Sequence, residues 1–94
     1  MLFYIIVYDI PCDKHRQKIS ELLEGYGKRV QYSVFECLLN QRQYAELKKR
    51  LHKQINSSED SIRFYPLSKH TFNQIETWGE PPITEIPGCK LLCI

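Results

Sequence analysis

The sequence predicts an α+β fold in the order β-α-β-β-α-β, and three observations carry that prediction. Residues 2–8 (Leu-Phe-Tyr-Ile-Ile-Val-Tyr) are β-branched and aromatic without alternation, the pattern of a central strand covered on both faces. Two later segments place apolar residues at helical spacing and crowd Lys and Arg onto the remaining positions. Residues 28–39 and 61–67 are β-rich runs that flank the second of those segments. A chain of 94 residues has room for one domain, 1–94, with a modest core.

Each element has a local reason. The first strand stops at Asp9-Ile10-Pro11, and Asp13 is a candidate N-cap for the helix that follows. Ile19, Leu22, Leu23 and Tyr26 form that helix's apolar stripe, and Gly25 and Gly27 offer left-handed positions to end it. In residues 29–39 the alternation slips: Val30, Tyr32 and Val34 share one parity, while Phe35 and Cys37 take the other. Such a slip means a bulge or a very tight reversal near Tyr32-Ser33, so two strands are expected, residues 28–32 and 34–39. Asn40 with Gln43 three residues on reads as a capping box opening a helix whose stripe is Tyr44, Leu47, Leu51 and Ile55. The polar run at 56–60 is a turn, and Pro66 confines the end of the fourth strand to an edge or exit. The order is that of the ferredoxin-like fold, an antiparallel sheet with two helices on one face, with its core in residues 1–67. Residues 68–94 form a tail short of periodic apolar residues. Within it, residues 83–86 could supply an extra C-terminal strand to a neighbouring sheet edge.

Composition excludes several classes. With 43% hydrophobic and 26% charged residues the chain is not disordered. Its longest apolar run, residues 2–8, is far too short to span a bilayer. That run also lacks the flanks of a signal peptide, so no membrane and a cytoplasmic location are expected. Cys12, Cys37, Cys89 and Cys93 match no zinc template and are expected as reduced thiols. Charge is uneven: residues 11–53 carry ten Lys/Arg against five acids, while residues 54–94 carry three against five. A surface facing a polyanion produces that asymmetry, and so do solvated helix faces.

Asp9 stands first among candidate chemical groups because it ends an apolar central strand, where a carboxylate is rigidly held yet reaches solvent. Capping the turn before the first helix is the commoner role for an Asp so placed. One carboxylate suffices for Mg²⁺ only with waters, phosphate oxygens or a second copy, and a two-fold dimer would pair Asp9 with itself. Arg16 and Arg29 could each bind phosphate bidentately or form surface salt bridges. Lys48, Lys49 and Arg50 could meet phosphates if the second helix faces nucleic acid. Ser33 and Phe35 flank the phase slip, with Phe35 suited to core or interface rather than base stacking. His15, His52 and His70 fall on separate elements without a nucleophile at meaningful spacing. No Gly-rich phosphate loop exists, since Gly25-Tyr26-Gly27 follows a helix instead of preceding one.

These residues carry a resemblance. Tyr8-Asp9-Ile10, Asp13-Lys14-His15-Arg16, residues 26–36 (Tyr-Gly-Lys-Arg-Val-Gln-Tyr-Ser-Val-Phe-Glu) and residues 61–67 (Ser-Ile-Arg-Phe-Tyr-Pro-Leu) resemble, in order and interval, the CRISPR-associated Cas-two family of spacer acquisition. The resemblance implies a ferredoxin-like homodimer whose C-terminal strand crosses to the partner's sheet. It implies a Mg²⁺-dependent endonuclease acting on single-stranded RNA or double-stranded DNA, with Asp9 as catalytic residue and metal ligand and one ion shared between two copies. By the same resemblance Tyr8, Arg16, Arg29, Ser33 and Phe35 lie near the cleft, and the Cas-one integrase is a partner. A non-catalytic adaptor that bridges integrase dimers and clamps DNA is the alternative, and a ribonuclease toxin of the same layout a further one. A general RNA-binding domain would need an aromatic-Gly-aromatic pattern that the middle strands lack. Cys89 and Cys93 depart from the aliphatic residues expected to close the last strand.

Overall fold

The computed structural model describes residues 1–79. The expected strand over residues 83–86, and Cys89 and Cys93, lie outside the described residues. The elements are β1 (Leu2–Asp9), α1 (Asp13–Glu24), β2 (Lys28–Gln31), β3 (Val34–Leu39), α2 (Gln41–Gln54), β4 (Ser61–Leu67) and a short α3 (Lys69–Phe72). The four strands form one sheet in the order β2-β3-β1-β4, the ferredoxin-like order. All of its pairings are antiparallel.

Strand alternation sorts the sheet into two faces. Tyr4, Ile6 and Tyr8 of β1 stand opposite Cys37 and Phe35 of β3 and opposite Pro66, Phe64 and Ile62 of β4. Ile19 and Leu23 of α1 and Leu47 and Leu51 of α2 close over that face, and the resulting core is almost wholly buried. Tyr4 stacks on Tyr44 at 4.1 Å between ring centroids, which seats α2 on the centre of the sheet. Burial pushes the Tyr4 hydroxyl above its ordinary pKa, and the nearby Tyr44 adds to this. The Cys37 thiol, buried in the same core, is pushed up to about 11. It therefore behaves as a packed hydrophobe, not a nucleophile.

The other face differs from the expectation of a strand covered on both sides. No long helix lies over it among the described residues; Phe3 alone is sealed there, by Phe72 of α3 at 4.6 Å. Ile5 and Val7 stay half-buried, as do Val34, Leu38 and Leu67 beside them. An apolar run without alternation arises here because the chain offers one face to its own helices and leaves the other as a partly open apolar surface.

Four local details correct or sharpen the sequence reading. Cys12, not Asp13, is the N-cap of α1, and it provides no side-chain cap. Asp13 begins the helix proper and turns its carboxylate to Arg16. The phase slip resolves into both expected features: a register shift between Arg29 and Gln31, and a tight turn at Tyr32-Ser33 that ends β2 at Gln31. The capping box is present, with the Gln43 amide donating to the Asn40 side chain at 2.8 Å and the Asn40 amide donating to the Gln43 side chain at 2.9 Å. The start of the tail, short of periodic apolar residues, folds into α3 because the Ser68 side chain caps it and Phe72 finds Phe3.

Neither glycine after α1 is left-handed, and Gly27 acts by size. Gly25 caps the helix at φ −75°, an ordinary helical value. At Gly27 an added Cβ would stand 2.3 Å from Cys37 Sγ and 2.4 Å from the Glu36 carbonyl oxygen, so this backbone must pass bare against β3. Gly27→Ala is therefore expected to cost about 2–3 kcal/mol. A urea titration should show a lower midpoint with an unchanged slope.

Candidate nucleic-acid interface

Asp9 is the last residue of the central strand, and pairing with Ser61 puts both on the face away from α1 and α2. Next along the same face, Val7 opposes Arg63 and Ile5 opposes Tyr65. Val7, Tyr8, Asp9, Ser61, Arg63 and Tyr65 together line a shallow depression. Arg63 donates to the Tyr65 hydroxyl at 3.3 Å, which raises the guanidinium pKa further and orients it over the strand. The Asp9 carboxylate is exposed, and among the described residues it has no hydrogen bond or ion pair. Its backbone is fixed by the β4 ladder, while its oxygens remain available to a cation or to solvent.

Arg16, Arg29 and Tyr8 meet on the opposite side of the same sheet end. Tyr8, Asp13, Arg16, Gln17, Ser20, Arg29 and Tyr32 line a second depression there. Arg16 donates to the Ile10 carbonyl at 2.9 Å and to the Asp13 carboxylate, which raises its pKa and ties the β1–α1 connection to the helix. Arg29 donates to the Tyr32 carbonyl at 2.9 Å, with its guanidinium 5.2 Å from the Phe35 ring centroid. The Tyr8 hydroxyl donates to that same carbonyl at 3.4 Å. Burial raises the Tyr8 pKa, offset in part by Arg29 and Arg16, so Tyr8 stays a neutral phenol at pH 7. Ser33 sits half-buried in the turn, where its carbonyl accepts from the Tyr8 amide at 3.1 Å. Phe35 is fully buried in the core, beneath Arg29.

The fold thus divides the expected set. Asp9 stands on one face, Arg16 and Arg29 on the other, and Tyr8 borders both depressions. Arg63 and Tyr65 are brought beside Asp9 by the β1–β4 register, which no local pattern in the sequence announces.

The basic triplet of α2 does not form one patch. Successive helix positions diverge by about a quarter turn or more, so neighbours in sequence face different ways. Lys48 lies over the Tyr44 ring at 4.3 Å, and Lys49 is exposed. Arg50 donates to the Tyr26 hydroxyl at 2.9 Å. It joins Lys18 and Lys53, with Glu21, Leu22 and Gln54, along a groove between α1 and α2. The residues that share a basic surface with Arg50 are thus Lys18 and Lys53, invisible to a search for contiguous charge. Among the described residues no helix is long and apolar enough to cross a membrane.

Known proteins resemble this chain along most of its length. A 92-residue chain segment covering 98% of it is 60% identical to "CRISPR-associated endoribonuclease Cas2 3" of Synechocystis sp., which it covers completely (100%). "CRISPR-associated endonuclease Cas2 2" of Thermus thermophilus is 38% identical over 89 residues, 95% of this chain and 94% of the relative. Among solved structures, a chain of a "Partial Cas6-RT-Cas1--Cas2 complex" superposes with a TM-score of 0.78 at 38% identity, covering 96% of this chain and 98% of the other. The family model described as CRISPR associated protein Cas2 matches residues 1–75, which include all four strands and both long helices. Sheet order and the sequence matches agree, and the chain belongs to the CRISPR-associated protein Cas2 family.

Proposed function

We propose that this protein is a metal-dependent endonuclease that works in CRISPR spacer acquisition as a homodimer. The observation that carries the reading is the exposed, unengaged Asp9 carboxylate at the end of a strand laddered on both sides. Relatives named endoribonuclease and endonuclease support phosphodiester hydrolysis; the substrate proposed is single-stranded RNA or double-stranded DNA. The resemblance to a chain of a Cas1–Cas2 complex supports partnership with the Cas1 integrase.

The open sheet face supports the dimer. Ile5, Val7, Val34, Leu38 and Leu67 leave a half-buried apolar surface that a second copy would cover. A two-fold axis near the Asp9 end of that face brings two carboxylates together. Such a pair suits Mg²⁺, since exposed carboxylate oxygens are hard donors that leave room for waters and phosphate oxygens. When bound, Mg²⁺ supplies an acidified water and offsets charge on the phosphate. The chain's own groups do the rest. Asp9 holds its oxygens at a fixed height above the strand, and Arg63 offers guanidinium N–H groups on the same face. Arg16 and Arg29, already oriented by carbonyls, present their remaining N–H groups to a phosphate farther along the nucleic acid. Tyr8, held neutral, donates a hydrogen bond rather than taking a proton.

A second reading, in which the dimer is an adaptor that clamps DNA between integrase dimers, is favoured by the Lys18–Arg50–Lys53 groove. That groove lies between the helices, away from the Asp9 face, and it offers charge without base-reading groups.

Light scattering at micromolar concentration should give about twice 11.2 kDa. A monomer that still cleaves would remove the paired-carboxylate site. Asp9→Asn should lower Mg²⁺-dependent cleavage at least about 100-fold while the variant remains a dimer that binds nucleic acid. Undiminished cleavage would leave the adaptor reading alone standing. Binding to unrelated sequences should be similar and steeply salt-dependent. Arg50→Glu should reduce the slope of log affinity against log salt by about 1, and Lys48→Glu should change it little. Equal slopes for Arg50→Glu and the unaltered protein would exclude the groove as the contact surface.

A further inference from the structure

His15, near the start of α1, comes close to Glu59 and Asp60 in the turn that leads from α2 into β4. One donor atom from each lies within 4.8 Å of the others. Two of the three residues carry buried atoms without a hydrogen-bond partner. The Asp60 side chain is fully buried (0% exposed); its Oδ2 accepts from the Asn56 amide at 2.8 Å, while Oδ1 has no hydrogen bond. His15 Nδ1 is also buried without a hydrogen-bond partner; at 3.7 Å from Asp60 Oδ2 it is within ion-pair range of the carboxylate when protonated, but too far for a hydrogen bond. A buried carboxylate with one oxygen unsatisfied, facing an unsatisfied imidazole nitrogen, is costly unless a third group lies between them.

We infer that His15, Glu59 and Asp60 form a binding site for a transition-metal divalent cation of the Mn²⁺/Zn²⁺ class, separate from Asp9. Donor chemistry selects that class: one imidazole nitrogen with two carboxylates suits Mn²⁺ or Zn²⁺, whereas Mg²⁺ avoids nitrogen. Ligand atoms about 2.1 Å from a common ion stand roughly 3.0–3.4 Å apart, so the widest present spacing needs to close by about 1.5 Å. Glu59, exposed and on a flexible side chain, is the ligand able to move. Asp60 is already pinned by the Asn56 amide, as oriented metal carboxylates commonly are. With Glu59 and part of His15 facing solvent, water completes the coordination sphere.

The site works as a clip. It joins the first turn of α1 to the residue immediately before β4, whose first residue, Ser61, is paired with Asp9. Occupancy fixes the edge of the sheet against which Asp9 is positioned, and it does so whether or not Asp9 itself binds a metal.

Mn²⁺ alone, added to the untagged full chain, tests the site. Asp9→Asn provides a background in which the carboxylate pair is absent, so failure of the clip and failure of the Asp9 reading are told apart. In that background Mn²⁺ should bind, raise Tm by about 5 °C or more at saturation and show imidazole-nitrogen coupling in pulsed electron paramagnetic resonance. His15→Ala should abolish the coupling and weaken binding at least about tenfold. Glu59→Gln, at an exposed position that leaves the fold intact, should also weaken it. No Mn²⁺ bound at millimolar concentration, or nitrogen coupling that survives in His15→Ala, would overturn the assignment.

Discussion

β1 is hydrogen-bonded along both of its edges, to β3 from Leu2 to Val7 and to β4 from Phe3 to Asp9. The rest of the structure depends on that double ladder. It leaves β1 no freedom to slip, because a shift of one residue would carry Tyr4, Ile6 and Tyr8 out of the core and bring Phe3, Ile5 and Val7 in. It also fixes where the chain can place a carboxylate. The last rung, Asp9 with Ser61, lies at the sheet's end, where the backbone is still held while the side chain has left the packed interior.

The two faces of the sheet then acquire different chemistry. On the helix side, Phe35 fills the core and Arg29 lies over its ring, so a cation is held at the rim by an aromatic face and by the Tyr32 carbonyl. Arg16 is tethered by Asp13 and the Ile10 carbonyl on the facing helix. These arginines lose little side-chain freedom when they meet an anion, because their orientation is already set. The side away from α1 and α2 carries Asp9, Glu36 and Arg63 around a half-buried apolar field. Separation of acid from base by the thickness of the sheet prevents Asp9 from being neutralised by Arg16 or Arg29, which a site on one face would invite.

The connections at this sheet end are short and densely bonded. Asn56 and Asp60 exchange backbone and side-chain hydrogen bonds across the turn before β4, and Arg16 ties the connection after β1. Both loops that border Asp9 are thus anchored by polar groups rather than by apolar packing. A small domain with a modest core reaches local rigidity in this way where it has no further hydrophobic surface to bury.

Much of this was legible in the sequence, because it depends on neighbours along the chain. The apolar run of β1, the stripes of the two helices, the Asn40–Gln43 capping box and the parity slip before Val34 are local patterns, and the structure realises each of them. Asp9 stood out for the same reason, as a carboxylate ending an apolar strand. What depends on strands and helices meeting was not legible. Arg63 and Tyr65 reach Asp9 only through the β1–β4 register, and His15 reaches Asp60 only because α1 packs near the start of β4. Lys18 and Lys53 join Arg50 only across two helices, whereas Lys48 and Lys49, adjacent to it in sequence, turn elsewhere. Phe72 found its place through a ring contact with Phe3, from a segment with no periodicity to announce it. Sequence alone determined the four strands, the two long helices and the one carboxylate at the end of the central strand, since these follow from periods of two and 3.6 residues. Only the tertiary structure decided which side chains share a face with that carboxylate, because register and helix packing bring together residues that lie dozens of positions apart.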